Sequence, residues 1–212
     1  AAGYQTTIER LPHFLNEQLA EEAERHYWQA VSLSLRSDPE SEGIEEMMRL
    51  AKLAVDANPD HPRFKFAVGL ADFRGQQFEA ALDPLQESLK IPVQDVDDLT
   101  DHTLSWAVLA MTYHHLGRPD EARDWLARCD QWRDLSTRRT ISAFQGNHRA
   151  GRGLGDHRWN VANLLTRQAE LLISGAETVA EAEQQRRAKL APLAEQNAAS
   201  GSQTSQTGPG TE

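Results

Sequence analysis

The stretch WAVLAMTYHHLGRPDEARDWLARC, Trp106–Cys129, contains two helical patterns separated by a turn. Side chains that recur at steps of three and four share one helix face, and in the first half they are Trp106, Leu109, Ala110 and Tyr113. Gly117 can adopt the positive φ that ends a helix, and Pro119 is tolerated in the first turn of the next one. The stretch therefore predicts two antiparallel helices whose backbones approach each other over the small side chains of Ala110 and Ala122.

The same pattern occurs earlier in the chain at a constant spacing. A separation of 41 positions relates five residues to five others: Gly69, Phe73, Phe78, Ala81 and Leu85 to Ala110, His114, Pro119, Ala122 and Leu126. A looser match at 34 positions relates Met47, Ala51 and Ala54 to Ala81, Leu85 and Ser88. The first step is longer because VQDVDDL is inserted between the second and third hairpins. Three consecutive helical hairpins are predicted, and no segment alternates over more than a few residues as a strand would.

A repeat of about 34 residues built from two short helices resembles the tetratricopeptide pattern. Pro59 and Pro92 stand, to within one position, where that pattern has its closing proline. The residues that define the repeat here are Gly69, Ala81, Trp106, Ala110, Tyr113, Gly117 and Ala122. The resemblance implies an all-α fold, a tetratricopeptide-like array of antiparallel helical hairpins that forms a short α-solenoid.

The rest of the chain is expected to flank this array. We predict an N-terminal lead-in over 1–15, the hairpins over 16–135 and a basic loop rich in Gly and Arg over 136–158. Further helices are predicted over 159–195, and the Ser-, Gln-, Thr- and Gly-rich segment 196–212 is expected to be disordered because it has too few apolar groups.

A second, narrower resemblance involves the phrase LAMTYHHLGRPDEARDWL together with the helical pattern from Trp159 to Ile173. These segments resemble the C-terminal tetratricopeptide regions of large bacterial, planctomycete-type proteins, in which the repeats follow a serine/threonine kinase or a WD-repeat β-propeller domain. The resemblance implies a scaffold module that binds a protein, or alternatively a regulatory appendage of a larger protein without a partner of its own. The chain has no kinase motif and begins AAGYQTT without Met, as a fragment, a trimmed chain or a processed product would.

The resemblance also implies a binding surface. Repeats of this kind leave a concave groove lined mainly by the first helix of each pair. The groove positions would be Arg63, Phe66, Leu70, Phe73, Arg74, Ala107, Met111, His114 and His115. They would form a partly apolar, mildly basic groove for a peptide or protein segment. The alternative is that these side chains pack against flanking helices such as 16–36 or 159–173.

Composition excludes several other classes of protein. A net charge of −10 repels phosphates and anionic lipids, so we expect neither a nucleic-acid nor a membrane partner. No apolar run approaches the roughly 20 residues that span a bilayer, and we expect a cytoplasmic protein. Cys129 is the single cysteine, which rules out an internal disulfide and favours a buried small hydrophobe. No oligomeric state is predicted.

Candidate catalytic and metal-binding patterns are weak. His114 and His115 are adjacent and point about 100° apart on a helix, so they cannot chelate one metal as an i, i+4 pair can. The run Gly151–Gly155 lacks the preceding strand and the Gly-Lys-Ser/Thr ending of a phosphate loop. We therefore expect no enzyme, no metal and no cofactor. The arginines that could bind an acidic partner, or the acidic helices of the same chain, are Arg138, Arg139, Arg149, Arg152 and Arg158.

Overall fold

The computed structural model describes residues 19–35, 41–90, 92–93, 96–146, 157–176, 181 and 184, and for residues 41, 96, 97 and 138–146 the backbone alone. Over these residues the chain forms seven helices, and none of the described residues lies in a strand. The helices are α1 (19–34), α2 (Ser41–Ala57), α3 (Pro62–Arg74), α4 (Phe78–Ser88), α5 (Val96–His115), α6 (Pro119–Gly146) and α7 (His157–Ser174). The predicted all-α fold is confirmed, whereas the predicted lead-in 1–15 and tail 196–212 lie outside the described residues.

The helix ends reproduce the spacing found in the sequence. Helix α3 ends at Arg74 and α5 ends at His115, which are 41 positions apart. Helix α4 begins at Phe78 and α6 begins at Pro119, again 41 positions apart. Helix α3 packs against α4, and α5 packs against α6. The two segments related by this spacing therefore form two helical hairpins with the same turn length.

Both turns use the same backbone geometry. Gly117 has a φ of 70°, and the N–H of Arg118 donates to the carbonyl of Tyr113 at 2.9 Å. Gln76, 41 positions before Gly117, has a φ of 59°, and the N–H of Gln77 makes the corresponding bond at 2.8 Å. This is the bond that closes a helix around a left-handed residue. In the α3–α4 turn, the left-handed position is thus taken by a glutamine rather than a glycine.

Small residues occur where the helices of each hairpin cross. A Cβ atom built on Gly69 would lie 2.5 Å from Cγ of Leu85 and 3.1 Å from the carbonyl oxygen of Ala81. Ala110 and Ala122, at the equivalent positions of the next hairpin, are fully buried. The close approach over small side chains is thus observed at Gly69 and Ala81, and the burial of Ala110 and Ala122 agrees with the same arrangement in the next hairpin.

Helix α5 forms the centre of the molecule. Residues 100–113 are all buried except Trp106, which is half-buried, and α3, α4, α6 and α7 all pack against this helix. Its polar side chains form hydrogen bonds inside the core: Thr112 donates to the carbonyl of Val108 at 2.7 Å, and Ser105 bonds Ser88 of α4 at 2.6 Å. A helix enclosed on every side can carry hydroxyl groups when each has such a partner.

The predicted basic loop over 136–158 requires a correction. Helix α6 continues to Gly146, and α7 begins at His157, so only 147–156 lie between the two helices and outside the described residues. The reason is local, because positions 136–145 contain neither Gly nor Pro and arginine favours helix. Among the helices that the structure describes, none has the length and apolar character needed to cross a membrane.

Candidate functional site

The predicted groove positions divide into a buried set and a surface set. Phe66, Leu70, Ala107 and Met111 are at most 3% exposed, and Phe73 is buried as well. Their burial matches the alternative interpretation, in which these side chains pack against neighbouring helices. A partner could touch them only if the helices around α5 moved apart.

The surface set consists of arginine and histidine side chains. Arg74 donates from Nη2 to Oε1 of Gln168 in α7 at 2.9 Å. His115 stacks on Phe78, with ring centroids 4.5 Å apart and an angle of 3° between the planes. The rings of His114 and His115 lie 6.0 Å apart at 83° to each other, so they do not converge on one point. These residues contact other parts of the chain and together line one end of the hairpins.

A buried carboxylate links four helices. Asp101 of α5 has a side chain only 3% exposed, and its Oδ2 accepts from Nε of Arg63 in α3 at 2.9 Å and from Nη1 of Arg158 in α7 at 3.3 Å. Nη1 of Arg63 also lies 3.7 Å from Oε1 of Glu24 in α1. Burial raises the pKa of Asp101, although both arginines act to lower it. Arg63 is thus the one predicted groove residue that belongs to this four-helix contact.

Arg158 makes an intramolecular contact, which was one of the two alternatives for the basic stretch. Of the five arginines in the basic stretch, Arg158 contacts an acidic residue of the same chain. Its partner Asp101 had not been singled out, since α7 and α5 are distant in sequence and no local pattern relates them. The side chains of the other four arginines lie outside the described residues.

Helix α7 makes a second set of polar contacts with α6. Glu170 accepts from Nη2 of Arg133 at 2.6 Å, and these side chains are 9% and 21% exposed. Cys129 is fully buried, and its thiol lies near the side chain of Thr166. Burial raises the pKa of Cys129 to about 12, so the thiol is protonated near neutral pH. The prediction that Cys129 is a buried small residue is confirmed.

Aromatic contacts complete the surface under α7. The ring of Trp159 lies 6.5 Å from that of the fully buried Trp132 in α6. At the start of α7, the ring of His157 lies 6.5 Å from that of Trp28 in α1. Helix α7 therefore contacts α1, α3, α5 and α6. We call the residues of these helices that touch it the α7-binding surface: Trp28, Arg74, Asp101, Cys129, Trp132 and Arg133.

The α7-binding surface combines charged, aromatic and small side chains. It has a carboxylate at one end, an arginine further along and aromatic and small side chains between them. Within the described ranges, no group of three or more His, Cys, Asp or Glu side chains is placed to hold a metal ion. The sequence signals for this surface were Arg158, the last arginine of the basic stretch, and the amphipathic pattern of 159–173.

No protein-family model, curated protein or solved structure matches this chain. The resemblance to tetratricopeptide repeats therefore depends on the residue pattern and its spacing.

Proposed function

We propose that the chain is a tetratricopeptide-type scaffold module that binds a peptide or protein segment across the first helices of its hairpins. The observation that carries this proposal is the repetition of the α3–α4 hairpin by the α5–α6 hairpin, with helix ends 41 positions apart. The packing of α3 and α4 against α5 supports it, because repeat arrays bury their core between neighbouring repeats.

The position of α7 supports the choice of binding surface. An amphipathic helix already lies against α5 and reaches Trp28 in α1 and Arg74 in α3, the first helix of the preceding hairpin. Partner helices bind grooves in the same way, with an apolar stripe facing inward and charged residues at the rim. A peptide or protein segment is therefore the class of ligand that this surface fits.

Affinity capture on the intact chain tests the proposal. A partner identified from a native lysate is purified, and its affinity is measured by calorimetry for the wild-type chain and two double variants. Arg74→Ala with His115→Ala changes the surface part of the predicted groove, whereas Glu79→Ala with Asp83→Ala changes two exposed residues of α4.

We expect the groove variant to bind at least about tenfold more weakly, since contacts to charged groups contribute about 1.5–3 kcal/mol each. The α4 variant should bind as the wild type does. Equal affinities for both variants, with helicity unchanged by circular dichroism, would contradict binding across the first helices.

A further inference from the structure

We propose that α7 is a replaceable occupant of the α7-binding surface. The partner that replaces it is an amphipathic helix with a cation in its first turn and a carboxylate about three turns later. This inference depends on the proposed function, because it names the class of partner for the same surface. It commits to a helical protein segment rather than to an extended peptide.

The charges at the two ends of the surface specify the polarity of the occupant. Asp101 is almost fully buried and receives Arg158 from α7, while Arg133, further along, receives Glu170. A helix that left without a replacement would deprive a buried carboxylate of one of its two arginines, which is unfavourable in a low-dielectric site. An incoming helix with the same order of charges restores both contacts, and the reverse order places like charges together.

The apolar part of the interface combines large and small side chains. The buried apolar residues of α7 are Val161, Ala162, Leu165 and Ala169, and Leu172 and Ile173 are partly buried against the core. Trp159, which is half-buried, adds an aromatic contact to Trp132. Burial of these side chains stabilises any occupant that has the same spacing of large and small residues. The charged ends then decide the polarity of the helix that is bound.

Exchange of one helix for another is favoured over an empty groove. Without an occupant, Trp132 and the face of α5 under α7 would be exposed to water at the same time as Asp101 lost a partner. Both changes are unfavourable, whereas a second helix removes both penalties. The partner is therefore a competitor of α7.

The test uses the full chain and a fluorescein-labelled peptide with the sequence of His157–Ser174 as the probe. The double variant Arg158→Gln with Glu170→Gln weakens the hold on the chain's own α7. The control variant is Arg167→Gln, which makes the same kind of change on the exposed face of α7. Fluorescence anisotropy measures peptide binding to the wild type and to both variants.

We expect the double variant to bind the peptide at least about tenfold more tightly than the wild type or the control does. A peptide carrying the same two glutamine substitutions should bind the double variant at least about tenfold more weakly than the intact peptide. The absence of saturable binding to the double variant would overturn the proposal. Equal affinities of the two peptides for the double variant would contradict the proposal that the partner helix carries a cation in its first turn and a carboxylate later.

Hydrogen exchange on the wild-type chain keeps the proposal testable if the double variant does not fold. A replaceable helix opens without global unfolding, so amides of α7 should exchange at least about tenfold faster than those of α5. Equal protection of α7 and α5 would show that α7 is an integral part of the core. If the peptide does not bind or α7 is as protected as α5, the scaffold proposal still stands as long as the captured partner binds. If only the capture fails, the scaffold proposal is contradicted and the exchange of α7 is not.

Discussion

At the scale of single residues, the closest packing in the hairpins is at Gly69. A methyl group there would lie 2.5 Å from Cγ of Leu85, a branching atom whose side chain is fully buried and cannot simply rotate away. Alanine favours helix over glycine by about 1 kcal/mol, but overpacking a core costs about 1–3 kcal/mol. We expect Gly69→Ala to lower the free energy of unfolding by about 1 kcal/mol, measured by urea denaturation.

Gly75 provides the matched control for this prediction. Its φ is −74°, and a Cβ atom there would meet no heavy atom closer than 3.4 Å. Gly75→Ala should therefore be neutral or slightly stabilising, because it mainly reduces the freedom of the unfolded chain. Equal stabilities for the two variants would contradict the requirement for a glycine at the crossing of α3 and α4.

At the scale of helices, the central contact is the one that Asp101 makes with α3 and α7. Its pKa is raised above the usual 3.8, mainly by burial, so the folded chain holds this proton to a higher pH than the unfolded chain does. The contribution of protonated Asp101 to the free energy of unfolding is fully present below the pKa of the unfolded chain. It is lost as the pH rises through the pKa of the folded chain. The stability of the wild type relative to Asp101→Asn should therefore fall as the pH rises above 3.8.

Urea denaturation of both chains between about pH 4 and pH 7 measures this difference. Groups that the two chains share titrate equally in both, so their effects cancel in the comparison. The pH dependence of the difference in free energy of unfolding therefore reports on Asp101 and its neighbours. A difference that grows with pH would mean that Arg63 and Arg158 outweigh burial and lower the pKa of Asp101 below its usual value.

Local patterns predicted the helices well and their long-range contacts poorly. The periodic apolar residues and the turn around Gly117 located the α5–α6 hairpin, and the spacing of 41 located its counterpart. The continuation of α6 was missed because its arginines resembled a loop in composition, although arginine is compatible with helix. Packing against 159–173 was one of the two expectations for the groove residues, but the contact between Arg158 and Asp101 could not be predicted, since it joins positions 57 residues apart.

At the scale of the whole molecule, the single cysteine reports whether α7 is in place. Cys129 is fully buried on α6, a helix that α7 contacts, so N-ethylmaleimide should label it slowly in the wild type. We expect Arg158→Gln with Glu170→Gln to raise the labelling rate at least about tenfold, because each lost contact to a charged group costs about 1.5–3 kcal/mol. Arg167→Gln should label as the wild type does.

The labelling rates have a clear contrary outcome. Equal rates in all three chains, measured by mass spectrometry at one pH, would mean that Cys129 becomes accessible only when the molecule unfolds as a whole. The ion pairs of α7 would then contribute little to holding it in place. Because the chain has no other cysteine, the measurement needs no background substitution.

If the hairpins form the proposed tetratricopeptide-type array, the enclosure of α5 has a consequence for how that array can grow. Helix α7 lies against both helices of the α5–α6 hairpin, where the first helix of an additional repeat would stack. A hairpin duplicated and inserted after α6 would compete with α7 for that site, and it would need its own cation to neutralise Asp101. Helix α7 would thus cap this end of the array. It would have to be displaced before a further hairpin could stack on α5 and α6.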